Sequence, residues 1–234
     1  PVPPNQLFGW GRNAYGAFLQ NDTINRSSPT QVPGTQWSKM YPSHDGEAVY
    51  AAQKTDGTLW VWGKNNQGDL GQNNVVNLSS PVQIPGTQWN DVAMGYFSLG
   101  TKTDGTLWVW GSNFEGSLGL NQTTGGQRSS PTQMPGTQWN KVGTGVYAGF
   151  ATKTDGTLWA WGRNGSAQFG INNKTYYSSP KQIPGTQWSS IASSSLTFGL
   201  KSDGTLWGWG NNGNGGAGQN NTIPYSSPRQ IPGT

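Results

Sequence analysis

Residues 104–111 read Asp-Gly-Thr-Leu-Trp-Val-Trp-Gly. The same eight residues stand at 56–63, and with one change each at 155–162 and 203–210. Residues 5–11, Asn-Gln-Leu-Phe-Gly-Trp-Gly, match the second half of that stretch. The Trp-Gly pairs therefore fall at 10, 62, 110, 161 and 209, in steps of 52, 48, 51 and 48. Self-similarity at a period near 50 marks a repeat architecture. After each Trp-Gly comes Ser-Ser-Pro, starting at Ser27, Ser79, Ser129, Ser178 and Ser226, and then Pro-Gly-Thr. Four of these continue into Gln-Trp, at Trp37, Trp89, Trp139 and Trp188. All 13 Trp lie in three repeat slots: five in Trp-Gly, four in Gln-Trp and four in Leu-Trp.

The unit reads as four short strands. Trp89-Asn90-Asp91-Val92-Ala93 is the first, a small-residue strand such as Phe97 to Lys102 the second, and Leu107 to Trp110 the third. Asp104-Gly105 between the last two predicts a type I′ hairpin turn, with positive φ at both central residues. A Gly/Asn-rich loop leads to a fourth strand, as in Pro131 to Met134. Proline at its end suits a sheet edge, where no ladder hydrogen bond is donated. No stretch sustains a 3.6-residue period, so almost no helix is expected. Antiparallel four-stranded units repeated around an axis make a β-propeller. The fold class is all-β: one repeat domain over 1–234, with units at 5–36 (partial), 37–88, 89–138, 139–187 and 188–234.

Composition supports this reading. Hydrophobic residues make up only 32%, beside 36 Gly and 15 Pro. Each Trp brings about 150–250 Å² of buriable surface, enough to organise a polar chain when regularly placed. Charged residues are 10% and the net charge is +4, with no Lys/Arg run. No nucleic-acid patch follows from that distribution. There is no cysteine, which removes disulfides and thiolate chemistry. No apolar run is long enough for a membrane span.

The pattern Asp-Gly-Thr-Leu-Trp-x-Trp-Gly-x-Asn-x-x-Gly-x-Leu-Gly, followed by Ser-Ser-Pro-x-Gln-Ile-Pro, resembles the regulator-of-chromosome-condensation repeat. The resemblance covers essentially the whole chain and suggests a divergent member of bacterial or phage type. It implies a propeller with the Trp-x-x-Val/Ile-Ala strands near the axis and the Pro-flanked strand outermost. Members form seven-bladed rings, some acting as guanine-nucleotide exchange factors and chromatin binders, many as interaction platforms. The family's Gly-x-x-His-Thr is absent: Gly95 precedes Tyr96-Phe97-Ser98 and Gly145 precedes Val146-Tyr147-Ala148. The exchange function is therefore not carried over.

Five outer half-units are present against four inner ones. Three readings follow: a longer chain with more blades, a five-bladed ring that closes imperfectly, or an oligomer in which another chain completes the strands, since open sheet edges invite pairing.

Several repeated residues admit both a structural and a functional reading. Asn stands three residues after each repeat Trp (Asn13, Asn65, Asn113, Asn164, Asn212) and again eleven after it (Asn21, Asn73, Asn121, Asn172, Asn220). Repeated amides could bind sugar hydroxyls, or they could be copied turn chemistry. Lys54, Lys102, Lys153 and Lys201 precede each hairpin Asp by two and could pair with it or form a cationic ring. Departures from the repeat are the better candidates for binding. They are the 41–47 stretch with Tyr41, His44, Asp45 and Glu47, and the tyrosines before Ser-Ser-Pro: Tyr176, Tyr177 and Tyr225. One His beside two acids is a poor metal set, and no catalytic residue, metal or cofactor is expected. The function expected is a non-enzymatic structural and interaction propeller with a protein partner, at a virion surface or outside the cell. The alternative is a multivalent carbohydrate-binding lectin or adhesin with a glycan ligand. An exchange regulator is a third reading, by family analogy alone.

Overall fold

The computed structural model describes residues 6–41, 43, 48–123 and 125–233. It contains four four-stranded antiparallel sheets and one two-stranded sheet. Strands β1 (Phe8–Gly11) and β2 (Arg26–Gln31) form the short one. The others are β3–β6 (Trp37–Tyr41, Val49–Lys54, Leu59–Gly63, Leu78–Gln83) and β7–β10 (Trp89–Ala93, Phe97–Lys102, Leu107–Gly111, Arg128–Met134). They continue with β11–β14 (Trp139–Gly145, Ala148–Lys153, Leu158–Gly162, Tyr177–Ile183) and β15–β18 (Trp188–Ser193, Leu196–Lys201, Leu206–Gly210, Tyr225–Gln230). The helical element among the described residues is a single 3-10 turn, Phe114–Gly116. Five outer halves and four inner halves are thus what folds.

Within each blade the strands run up and down in chain order. The Leu-Trp-x-Trp strand lies third in each four-stranded sheet, between the second strand and the outer one. Leu107 and Val109 on one face and Trp110 on the other are completely buried, while Trp108 is half-buried. The first strands of successive blades face one another around the axis: Tyr41, Val92, Met94, Thr144, Ile191 and Ser193 line a cavity of about 180 Å³ there. Asp91 links three of these strands. It pairs with Lys39 of the preceding blade at 2.7 Å, and its second oxygen accepts the Val142 N–H of the following blade at 3.2 Å.

Two local expectations change. The hairpin turns are not type I′. Gly105 has φ +80, but Asp104 is not in the left-handed region, and Gly105 N–H donates to the Lys102 carbonyl. This is a type I turn closed by a glycine bulge, and it repeats at Gly57, Gly156 and Gly204. Nor does Ser-Ser-Pro flank the outer strand; it lies inside it. Between the pairs Arg128↔Gly111 and Thr132↔Val109 the outer strand carries two residues more than its partner. Pro131 occupies that irregularity, where its missing N–H leaves no ladder bond unmade.

Blades are joined by a repeated latch. The indole N–H of Trp62 donates to the Ala17 carbonyl of the preceding unit at 2.9 Å. Trp110, Trp161 and Trp209 do the same to Asp69, Ser117 and Gln168 at 2.8, 2.9 and 2.8 Å. A second bond runs beside it. The N–H of Asn21, Asn73, Asn121 and Asn172 donates to the carbonyl of Ser79, Ser129, Ser178 and Ser226 in the next blade. The loop approaches so closely that a Cβ on Gly68 would stand 2.6 Å from Ser129 Cα, and Gly68 also has φ +82. Trp10, whose indole has no preceding unit among the described residues, is 61% exposed, whereas its four counterparts are at most 1% exposed.

The latch predicts an asymmetry between equivalent tryptophans. Trp110→Phe removes the indole N–H and leaves the buried Asp69 carbonyl only its bond from the Ser98 hydroxyl, and with the ring volume lost should cost about 1–3 kcal/mol. Trp10→Phe should change stability by less than about 0.5 kcal/mol. Chemical denaturation of both variants measures the difference, and equal losses would refute the latch.

Candidate functional site

The repeated polar residues are consumed in holding the blades. Asn65 is fully buried: its side-chain NH₂ donates to the carbonyls of Asn74 and Val76, and its Oδ1 accepts the Leu70 N–H at 2.9 Å. Asn13, Asn113, Asn164 and Asn212 repeat the pattern, each bonding the carbonyl nine residues on and the N–H five residues on. The later Asn of each unit adopts the left-handed conformation, with φ between 54 and 61. Turn chemistry therefore accounts for both sets of amides: the first is buried, and the second is exposed at left-handed turn positions.

The repeat lysines pair with tryptophan rather than with the hairpin Asp. Lys102 Nζ sits 5.0 Å from the Trp89 ring and 4.7 Å from the Trp108 ring. Lys54, Lys153 and Lys201 occupy the same slots in their blades. Such cation–π contacts clamp the first strand against the third. The hairpin Asp instead starts a relay. Asp104 Oδ1 accepts the Thr106 N–H and hydroxyl at 2.9 and 2.7 Å, and the Thr106 Oγ1 accepts the Trp108 indole N–H at 3.0 Å. These bonds hold the carboxyls of Asp56, Asp104 and Asp155 below their usual value of 3.8, the Thr hydroxyl contributing most and the N–H next. For Asp203 the Thr205 N–H leads and the hydroxyl follows.

The sequence-derived candidates are not brought together. Tyr41 ends β3, is buried against the axial cavity, and donates its hydroxyl to Gln53 Oε1 at 3.1 Å. Burial pushes its phenol up. His44, Asp45 and Glu47 lie outside the described residues. Tyr177 and Tyr225 begin outer strands β14 and β18. Tyr177 Oη accepts from Asn173 at 3.2 Å, and Tyr225 exchanges hydrogen bonds with Asn221 at 2.8 and 3.0 Å. Tyr176 points outward and is 44% exposed.

The structure assembles a different set between blades. On the face carrying the turns between first and second strands, Tyr96 stacks on Tyr147 at 4.8 Å, and Phe114 contacts Tyr147 at 4.8 Å. They line a cleft of about 310 Å³ together with Lys64, Asn66, Gln67, Asp69 and Ser112. An adjoining cleft of similar size holds Arg12, Tyr15, Tyr50 and Lys64. The sequence signal for these residues was present: Tyr96 and Tyr147 sit where the family's Gly-x-x-His-Thr is missing. What it could not show is that they touch. Among the described residues no three His, Cys, Asp or Glu group as a metal site.

Residues 56–98, 104–149 and 155–195 each match the model of the Regulator of chromosome condensation (RCC1) repeat. Among curated proteins, the chain is 28% identical over 92 residues to the probable E3 ubiquitin-protein ligase HERC4 of Homo sapiens, covering 38% of this chain and 9% of that protein. Among solved structures, human WBSCR16 superposes with a TM-score of 0.80 at 20% identity, covering 97% of this chain and 63% of that one. Yeast RCC1 (Prp20), in its complex with Kap60, superposes at 0.76 and 19% identity, covering 98% of this chain and 58% of that one. The chain thus spans under two thirds of these solved relatives and less than a tenth of the curated one.

The Asp relay generates a pH dependence. Each carboxyl titrates lower in the folded state than in the unfolded chain, so the unfolded state takes up protons first as pH falls. Its stabilisation is complete above the usual carboxylate value and is lost as pH drops through the folded one. The melting temperature should hold between neutrality and about pH 5, then decline below about pH 4. In the quadruple variant Asp56→Asn, Asp104→Asn, Asp155→Asn, Asp203→Asn, which keeps the acceptor oxygen, calorimetry should show a shallower fall. An unchanged acid profile would exclude the relay as its source.

Proposed function

The chain belongs to the regulator-of-chromosome-condensation repeat family, and on that premise we propose that it is a non-enzymatic interaction scaffold that docks a protein partner on its rim. One observation carries the reading. The loop entering the outer strand displays an apolar side chain at the same place in three units: Ile24, Val76 and Ile223, each more than 60% exposed. The backbone of each is fixed, because its N–H donates to Asp22, Asn74 or Asn221 Oδ1 at 2.9 Å in an Asx turn. Spaced apolar side chains on a fixed backbone at a polar rim are suited to serve as anchors for a partner. Among the described residues one edge of β1 is unpaired, and with exposed Trp10 it adds a place where further strands can dock, from this polypeptide or another copy.

The relatives agree with a binding role. The structure of Prp20p is described with its binding to Gsp1p and histones. We do not extend those partners to this chain, since the motif departs at Gly95 and Gly145 and fold does not fix function. A low charge and a Gly-, Asn- and Thr-rich surface suit a virion or extracellular setting.

The second reading is a carbohydrate-binding module. The buried amides do not favour it, but the aromatic cleft formed by the β5–β6 loop with the second and third four-stranded sheets (β7–β10 and β11–β14) does.

Affinity capture with the full chain from its native source should recover one protein in stoichiometric amount. The triple variant Ile24→Ser, Val76→Ser, Ile223→Ser should lose it with an unchanged melting temperature. A chain that is solitary in its source, or binding indifferent to the triple variant, refutes the rim as the docking surface.

A further inference from the structure

The repeat supplies its own controls, because equivalent positions in other blades show what the fold alone requires. Tyr96 and Tyr147 occupy one such position, and the others hold Ala48 and Ser195. Their equivalence is structural: the carbonyls of Ala48, Tyr96, Tyr147 and Ser195 all accept the N–H of the residue after the Trp-Gly pair. Phe114 corresponds to Ala14, Asn66, Gly165 and Gly213. The fold is built elsewhere without an aromatic at either place. Here three converge, and Phe114 remains 51% exposed.

Backbone conformation singles out the same place. The non-glycine residues with positive φ are the repeat Asn and Gln, Leu19 and Ala167 at positions where other units have glycine, and two more: Glu115 at +56 and Tyr147 at +55. These two have no left-handed counterpart among the described residues of other blades. Tyr147 lines the cleft, and Glu115 follows Phe114. Left-handed backbone at a bulky residue is strained and persists where surroundings over-determine it, commonly at ligand sites.

The polar lining narrows the ligand. Charges balance: Lys64 and Asp69 share the cleft, and Glu115 beside it pairs with Arg163 at 3.6 Å. A phosphate or polyanion therefore finds no net cation. Asn66 and Gln67 instead present exposed amides, each carrying two donors and an acceptor oxygen, beside the aromatic rings. Aromatic faces with a few convergent amides match a molecule that has an apolar C–H face and a rim of hydroxyls. We propose that this cleft binds a neutral carbohydrate, one pyranose stacking on Phe114 and Tyr147 with its hydroxyls bonded to the amides of Asn66 and Gln67.

The proposal rests on the second functional reading and assigns it a site. Saturation-transfer NMR of the full chain with cellohexaose, laminarihexaose, maltohexaose and chitohexaose at about millimolar concentration tests it. At least one should bind. Phe114→Ala and Tyr147→Gly should each weaken that binding about tenfold or more at unchanged melting temperature; glycine fits the φ of position 147 without strain. No signal from any of the four overturns both the site and the carbohydrate reading. Binding that persists in both variants overturns the site alone and places the sugar elsewhere. Peptides from a random library that bind wild type but neither variant, with no saccharide bound, assign the cleft to a protein ligand instead.

Discussion

An indole N–H that reaches from one blade to a carbonyl of the blade before it is the bond on which this molecule depends. Trp62, Trp110, Trp161 and Trp209 each make it from a fully buried position. A four-stranded sheet of such short strands cannot bury both faces alone. The latch fixes how far each blade is rotated and translated relative to its neighbour, so that hydrophobic faces meet in register. The acceptor carbonyl must be presented by an irregular loop, and that loop must itself be held. The buried Asn clamp does this, with its side chain substituting for the secondary structure the loop lacks.

The polar residues follow from that constraint. A chain with so few aliphatic side chains uses amides, hydroxyls and one ammonium per blade as internal fasteners. Lys102 between two indoles and the Asp104–Thr106–Trp108 relay tie the first, second and third strands together at the hairpin end. At the axis, Asp91 joins three blades with one carboxylate. Most of the polar periodicity is thus spent on architecture. Binding is left to residues that break the repeat or project from it: the rim apolar residues on their Asx turns, and the aromatics between the second and third four-stranded sheets.

The turn and the outer strand show how local chemistry was altered by its surroundings. Asp-Gly predicts a hairpin in either geometry, but the Asp carboxylate accepts two bonds from Thr two residues on. That favours the type I turn with a glycine bulge over the type I′ alternative. Proline reads as a strand end when only its missing N–H is considered. A bulge of two residues lets the outer strand pass over it and resume pairing.

The sequence by itself determined the repeat, the all-β class, the four strands of a unit and the count of five outer against four inner halves. These are properties of residues near one another along the chain, and copies reinforce them. It also marked Tyr96 and Tyr147 as departures from the family motif, and left the repeat Asn open between ligand and turn. Only the tertiary structure decided that Asn13, Asn65, Asn113, Asn164 and Asn212 are buried clamps. Only there does Tyr41 face the axis, and only there do Tyr96, Phe114 and Tyr147 share one cleft although Tyr147 is some fifty residues from Tyr96. The reason is geometric: one unit's neighbours across the blade boundary lie a full period away, and periodicity records that the units are alike without recording which faces meet.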